Sequence, residues 1–327
     1  MAEDLEDPRE VAWHPRFAAT VVGHVDAQAA FKSSFASGRP HHAWLMSGAK
    51  GVGKATLAYA LARHILADSM SPDQVLRWVH ARAHPVLAIL ERSFNDSKPR
   101  KLRVEISVDD VRRFIDFFAR TSSGGGWRVG LVDAADDLSS ESANALLKLV
   151  EEPPSKTIIL LVCHAPGKVL RTLRSRCRRL VLSGLSDVEN MRVLSALPLE
   201  PVASPEVLTQ ASGISGGSPG LALELMQSQG AKAFQMFLAA KRLDAGLRQA
   251  VAQYFSTRAA AQFDYEVFID LLLQWLSLQA KRNNNVAVAN VFGELAQQRA
   301  VVSGYNLDRR VAVMDALTQV DLALKAA

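Results

Sequence analysis

Apolar residues follow two different rhythms along this chain. Up to about residue 183, short apolar runs alternate with segments in which apolar side chains recur every three or four residues. The runs "HAWLMSG" (42–48), "HPVLAIL" (84–90), "RVGLVDAADDL" (128–138, which ends in carboxylates), "TIILLVC" (157–163) and "RLVLSGL" (179–185) predict strands. Between them, 26–37, 53–67 and 107–118 have helical spacing, with Asp26 and Ser107 as candidate caps; Leu57, Ala60, Leu61 and Ile65 share one face of the second helix, and Val111, Phe114, Ile115 and Phe118 one face of the third. "SSESANALLKLVEEPP" (139–154) predicts a further helix with a serine cap and a Pro-Pro stop. Strand–helix alternation of this kind predicts an α/β layer built on a parallel sheet. After residue 183 only helical spacing remains: short helices at 186–198, 204–212 and 219–229, interrupted by Gly213, Gly216, Gly217, Pro219 and Gly220, then long helices from about 233 with an Asn-rich break at 283–285. The expected plan is an α/β domain over 1–183, a small helical domain over 184–230 and an all-α domain over 231–327. In the last, 261–280 carries a wide apolar face of Phe263, Val267, Phe268, Leu271, Leu272, Trp275 and Leu276.

The first strand runs straight into "GAKGVGKATLAYALA" (48–62). Phosphate-binding loops follow the pattern G-x-x-x-x-G-K-[ST] between a strand and a helix. Gly48, Gly53 and Lys54 fit it, with Gly51 inside the turn. Such glycines let backbone N–H groups close around a phosphate at a helix N-terminus, and the lysine reaches the terminal phosphates. The next position normally supplies a hydroxyl to Mg²⁺, and Ala55 has none. Thr56 is rotated by about 100° from it. In nucleoside triphosphatases of this class a second buried strand ends in an acid that helps to hold the metal. Asp133 fits that place, but Ala134 follows where a water-polarising Glu often stands. Asp136 and Asp137 lie past the strand and read as a solvated loop and helix start.

Composition narrows the possibilities. At 327 residues and 49% hydrophobic, the chain has material for two or three packed domains, which excludes a disordered protein. A net charge of +5 permits contact with nucleic acid without requiring it. Two cysteines, Cys163 and Cys177, are too few for a disulfide framework or a four-cysteine zinc site and fit a reducing compartment. The acidic start "MAEDLEDPREVAWHPRF" is not a signal peptide, and no apolar run approaches the ~20 residues of a membrane span. A cytoplasmic protein without membrane contact is expected.

"LRSRC" (173–177) follows the fourth strand. An exposed arginine there could serve a phosphate on a neighbouring subunit, where an arginine finger is worth about 10³–10⁵ in rate; alone, the motif reads equally as a basic surface turn. Taken together, "GRPHHAWLMSGAKGVGKATLAYALA", "NALLKLVEEPP" and "LRSRC", in this order and spacing, resemble the bacterial clamp-loader branch of the AAA+ proteins. The resemblance is detailed over about residues 20–225 and architectural beyond. It implies a RecA-like AAA+ P-loop domain, a helical lid and a helical collar that assembles a ring. It implies gamma or tau and delta subunits of DNA polymerase III as partners, with the sliding clamp and primed DNA reached through the complex. The branch includes a stator that does not hydrolyse ATP. For it, the resemblance implies that Arg176, with Ser175 and Cys177, is presented in trans to the ATP of the adjacent subunit.

Three departures from the active pattern favour the stator. Ala55 removes the metal-binding hydroxyl, Ala134 the catalytic Glu, and Gly217-Ser218-Pro219-Gly220 lacks the arginine of the family's Gly-Ser-x-Arg lid motif. Neither ATPase nor polymerase activity is expected of the chain itself, only membership of the polymerase assembly. Gly48, Gly51, Gly53, Lys54, Thr56 and Asp133 form a degenerate nucleotide site, with no cofactor required and residual ATP or ADP binding left open. Zinc is not expected: the four cysteines that many members carry after the P-loop helix are missing, and His80 and His84 have no further ligands in sequence. Lys98, Arg100, Lys101 and Arg103 read as a solvated basic edge rather than a DNA contact, while Arg174, Arg178 and Arg179 flank Arg176 where an acidic partner surface could meet them. Two alternatives stay open: an active gamma- or tau-like ATPase with Thr56 as a makeshift ligand, and a free-standing DNA-binding protein.

Overall fold

The computed structural model describes residues 7, 9–95, 102–119, 125–199, 204–240, 242–256, 261–283, 286–305 and 307–325. The chain divides into two compact units, Met1–Glu189 and Asn190–Ala327. Lys98, Arg100 and Lys101 of the basic stretch lie outside the described residues; Arg103 is exposed.

Five strands form the sheet of the first unit: β1 (Ala43–Ser47), β2 (Leu87–Glu91), β3 (Arg128–Asp133), β4 (Thr157–Cys163) and β5 (Arg178–Val181). All pairings are parallel, in the order β2-β3-β4-β1-β5. Helices cover both faces of β1, β3 and β4, so these strands read as continuous apolar runs, whereas the edge strand β5 is mostly exposed and opens with two arginines. Period 2 sorts them: Ile158, Leu160 and Val162 of β4 join one core, Ile159, Leu161 and Cys163 the other. The first core includes Phe31 of α1 (Val25–Ala36), Leu57, Leu61 and Ile65 of α2 (Lys54–Leu66), and Val75 and Val79 of α3 (Pro72–His80). The second includes Val111, Phe114 and Phe118 of α4 (Val108–Ala119), Leu146, Leu149 and Val150 of α5 (Ser140–Glu151), and Leu173 of α6 (Arg171–Ser175). With the P-loop following β1, which lies between β4 and β5, this is the strand order expected of a RecA-like P-loop domain.

Local chemistry explains most helix starts. Ser107 and Ser139 cap α4 and α5 through bonds from the N–H of Asp110 (3.2 Å) and of Ser142 (3.1 Å). The cap expected at Asp26 is absent. His24 holds that position in left-handed backbone (φ 52°), and Asp26 lies in the first turn of α1. The helix α3 was not anticipated, although Ser71-Pro72-Asp73 is a regular helix start.

The division between the units falls within α7 (Asp187–Ala196). In the second unit, Leu194 packs with α8 (Pro205–Ile214) and α9 (Pro219–Gln227) around Val207, Ala211, Ala222 and Met226. A larger core joins α10 (Gln229–Ala239), α11 (Ala245–Gln253), α12 (Ala261–Asn283), α13 (Val286–Tyr305) and α14 (Arg309–Lys325). The apolar face expected on 261–280 enters this core through Val267, Phe268, Leu271, Leu272 and Leu276, with Trp275 packed against it. Phe263 is instead exposed, and among the described residues Tyr265 is the first of the helix in the core. The helices α10 and α12 approach closely at Gly230, where Asp264 Oδ1 accepts from Gln229 N at 2.8 Å and a side chain's Cβ would lie 2.0 Å from Asp264 O.

That contact yields a paired prediction. Gly230→Ala should destabilise the chain by about 2 kcal/mol, because the clash with a backbone carbonyl outweighs the better helix propensity of alanine. Gly293→Ala on α13, where a Cβ meets nothing within 4 Å, should stabilise by about 0.5–1 kcal/mol. Urea unfolding followed by helical circular dichroism measures both, and equal shifts for the two would contradict this packing.

Candidate functional site

Strand polarity distributes the chemistry. Parallel strands end on one side, and Gly48–Lys54, Asp133 and His164 all follow or finish a strand there. Gly48 is required by close approach: Leu182 N donates to Ser47 O at 2.8 Å, and a Cβ on Gly48 would lie 2.2 Å from Leu182 O. Gly51 and Gly53 hold φ of 80° and 101°, which L side chains rarely adopt, and so curl the loop into α2. His24 Nε2 reaches Val52 O at 2.8 Å, tying the start of α1 to this loop.

Lys54 is only 3% exposed, and its ammonium donates to Gly48 O (2.8 Å) and Ala49 O (2.6 Å). The loop thus satisfies its own lysine, and a phosphate would compete with these two carbonyls. Burial holds the Lys54 pKa below the ordinary value against the opposing pull of Asp136, Cys163 and Asp133. Ala55 and Thr56 are both half-buried at the start of α2. The residues fit phosphate through the loop and Lys54 but offer Mg²⁺ no hydroxyl at the position after the lysine.

Asp133 ends β3 beside Glu91 of β2, its register partner. Burial, then the nearby charges of Glu91 and Asp137, push its carboxyl up to about 7. Asp136 and Asp137 are not the freely solvated pair expected from their loop position. Asp136 accepts from the N–H of His164 (2.8 Å) and of Ala165 (3.2 Å), fastening the end of β4, and Asp137 pairs with Arg92 at 3.1 Å. Nothing in the sequence signals these bonds, since 28 residues separate Asp136 from His164.

The Asp133 shift has a definite pH consequence. The folded chain keeps this proton to near neutrality, whereas the unfolded chain releases it near 3.8. Stability therefore falls as pH rises from about 4 to 7. Asp133→Asn should stabilise by about 2 kcal/mol at pH 8 and lose the advantage near pH 4. Urea midpoints at the two pH values test this; a variant weakened at pH 8 would contradict it.

Ser175, Arg176 and Cys177 occupy the other side of the sheet. Trp44 of β1 pairs with Arg178 and Ser47 with Val181, so the motif precedes β5 while the P-loop follows β1. Strand rise separates the two by about 20 Å, far beyond the reach of an arginine. Arg176 follows α6 as its C-cap. Its Nε pairs with Glu151 Oε1 at 2.7 Å, and Nη1 donates to Thr172 O at 3.0 Å. Ser175 Oγ donates to Thr172 O at 3.0 Å. Cys177 is buried and donates Sγ–H to Leu173 O at 3.2 Å; burial pushes its thiol up to about 12, so it serves as an anchor rather than a nucleophile. Arg174 donates to Pro166 O and Arg178 lies over the Trp44 ring, while Arg171 and Arg179 are exposed. Glu151, which sequence reasoning read only as a helix end before Pro-Pro, is the residue it missed.

His80 lies edge-on to Phe17, and buried His84 edge-on to Trp78. Among the described residues no helix is long and apolar enough to cross a membrane.

The model of the family described as DNA polymerase III, delta subunit, matches residues 23–186, half of the chain. DNA polymerase III subunit delta' of Pseudomonas aeruginosa is 30% identical over 72% of this chain and 69% of its own length. Subunit delta' of Escherichia coli is 35% identical over 60% of this chain and 57% of its own length. Subunit tau of Escherichia coli is 33% identical over 55% of this chain but only 27% of its own length. A P-loop domain with these motifs, a family match across them and delta' relatives aligned beyond them lead to one conclusion: the chain belongs to the family of DNA polymerase III delta prime subunits.

Proposed function

We propose that this chain is the non-hydrolysing stator of a replicative clamp loader. It works in the cytoplasm within a complex of gamma or tau and delta subunits. That complex loads the sliding clamp on primed DNA, and this chain gives it Arg176 for the ATP of the adjacent subunit. The observation that carries the reading is polarity: Arg176 and the chain's own P-loop lie on opposite sides of one parallel sheet. An arginine so placed serves a phosphate only on another molecule. In transferring a phosphoryl group, charge grows on the γ-phosphate oxygens, and a guanidinium supplied in trans stabilises it.

The chain's own P-loop supports the other half of the proposal. Its lysine is engaged by loop carbonyls, the metal-binding hydroxyl is replaced by Ala55, and Ala134 stands where a water-polarising carboxylate would. The Gly217–Gly220 segment starts α9 with Ser218 as cap and Pro219 at its first position, where no arginine is offered. Residual nucleotide binding through Gly48, Gly51, Gly53 and Lys54 is compatible with this. Turnover lacks the metal clamp, the water activator and one charge stabiliser, each a large part of catalysis. The tau likeness favours one competing reading, an active ATPase that uses Thr56.

Pre-steady-state hydrolysis by the reconstituted complex separates the two. With Arg176→Ala in this chain, the adjoining site should slow by about 10³-fold or more, leaving the phase from the other sites intact. The chain alone should show no Mg²⁺-dependent hydrolysis. Fast-phase amplitude unchanged by Arg176→Ala would end the trans assignment, and steady hydrolysis by the chain alone would establish the active ATPase.

A further inference from the structure

Five arginines and no carboxylate occupy residues 171–179. Within that stretch Arg176 is held on two sides, through Nε by Glu151 and through Nη1 by the carbonyl of Thr172. Its Nη2 makes no bond to the described residues. A guanidinium is planar, so fixing two of its nitrogens fixes the direction in which the third points. We infer that Glu151 is a positioning residue, which orients Arg176 so that its free Nη2 group is presented to the phosphate of the adjacent subunit. The inference rests on the trans reading of Arg176.

The surroundings show why the pair orients rather than stabilises. Arg176 and Glu151 are 40% and 41% exposed, and an ion pair so open to water adds little to folding. Attachment of α6 to α5 lies beneath it, where Leu173 and Cys177 pack with Leu146, Leu149 and Val150. The carboxylate itself stands on a firm element: Ser139 caps α5, and buried Ser142 donates to Ile106 O at 2.8 Å. Without Glu151, the neighbouring guanidiniums would repel Arg176 and the flexible side chain would sample many directions. Charge to bind phosphate would remain, but the geometry for catalysis would be lost.

The test uses the reconstituted complex, with Glu151→Ala and Glu151→Gln in this chain, each alone and combined with Arg176→Ala. Glu151→Ala should lower the rate constant at the adjoining site by about tenfold with the KM for ATP nearly unchanged. Glu151→Gln keeps an acceptor for Nε and should retain most of the rate. On the Arg176→Ala background, Glu151→Ala should cost nothing more, whereas a merely structural role would add its loss there too. A wild-type rate for Glu151→Ala, or an equal loss on both backgrounds, overturns the role of Glu151 while leaving Arg176 in place. No slowing by Arg176→Ala itself overturns the trans reading and this inference together.

Discussion

Everything functional in the first unit depends on the parallel pairing of β1 with β4 and β5. Parallel strands share a direction, so whatever follows a strand gathers on one side of the sheet and whatever precedes one gathers on the other. The P-loop, Asp133 and His164 fall on the first side, and Ser175–Cys177 on the second. An antiparallel β5 would have brought Arg176 to the chain's own P-loop. The register Trp44↔Arg178 keeps it at the other end of the strands, away from that loop.

The two sides also differ in how they treat charge. On the P-loop side, charge is turned inward: Lys54 is bound by its own loop, Asp136 by backbone N–H groups, and Asp133 is disfavoured as an anion. On the arginine side, five guanidiniums lie within nine residues of α6 and the start of β5, and the one in the motif pairs with Glu151. A loop whose charges are met within the chain and a basic segment open to solvent are what the proposed stator would need: little help for hydrolysis of its own and charge to offer a neighbour.

How much of this was legible in the sequence follows from the range of each interaction. Strands with both faces buried announce themselves as apolar runs, and serine caps at Ser107 and Ser139 are decided within four residues. The glycines and Lys54 were legible because their spacing is set by one turn of backbone. Asp26 misled because the cap of α1 is set by left-handed backbone at His24, whose ring reaches a carbonyl 28 residues away. The bonds of Asp136 and the Glu151–Arg176 pair join separate elements, so local pattern carries no trace of them. Phe263 was placed on an apolar face by spacing alone, yet it is exposed and the core takes up Tyr265 instead.

The central claim is that the 171–179 segment meets a nucleotide bound by another subunit. A photoreactive group tethered to the γ-phosphate of an ATP analogue, bound in the assembled complex and mapped by mass spectrometry, tests it most directly. The account predicts labelling of this chain within 171–179, absent when the chain is labelled alone. Labelling confined to its own 48–54 loop, in the complex and alone, would contradict it.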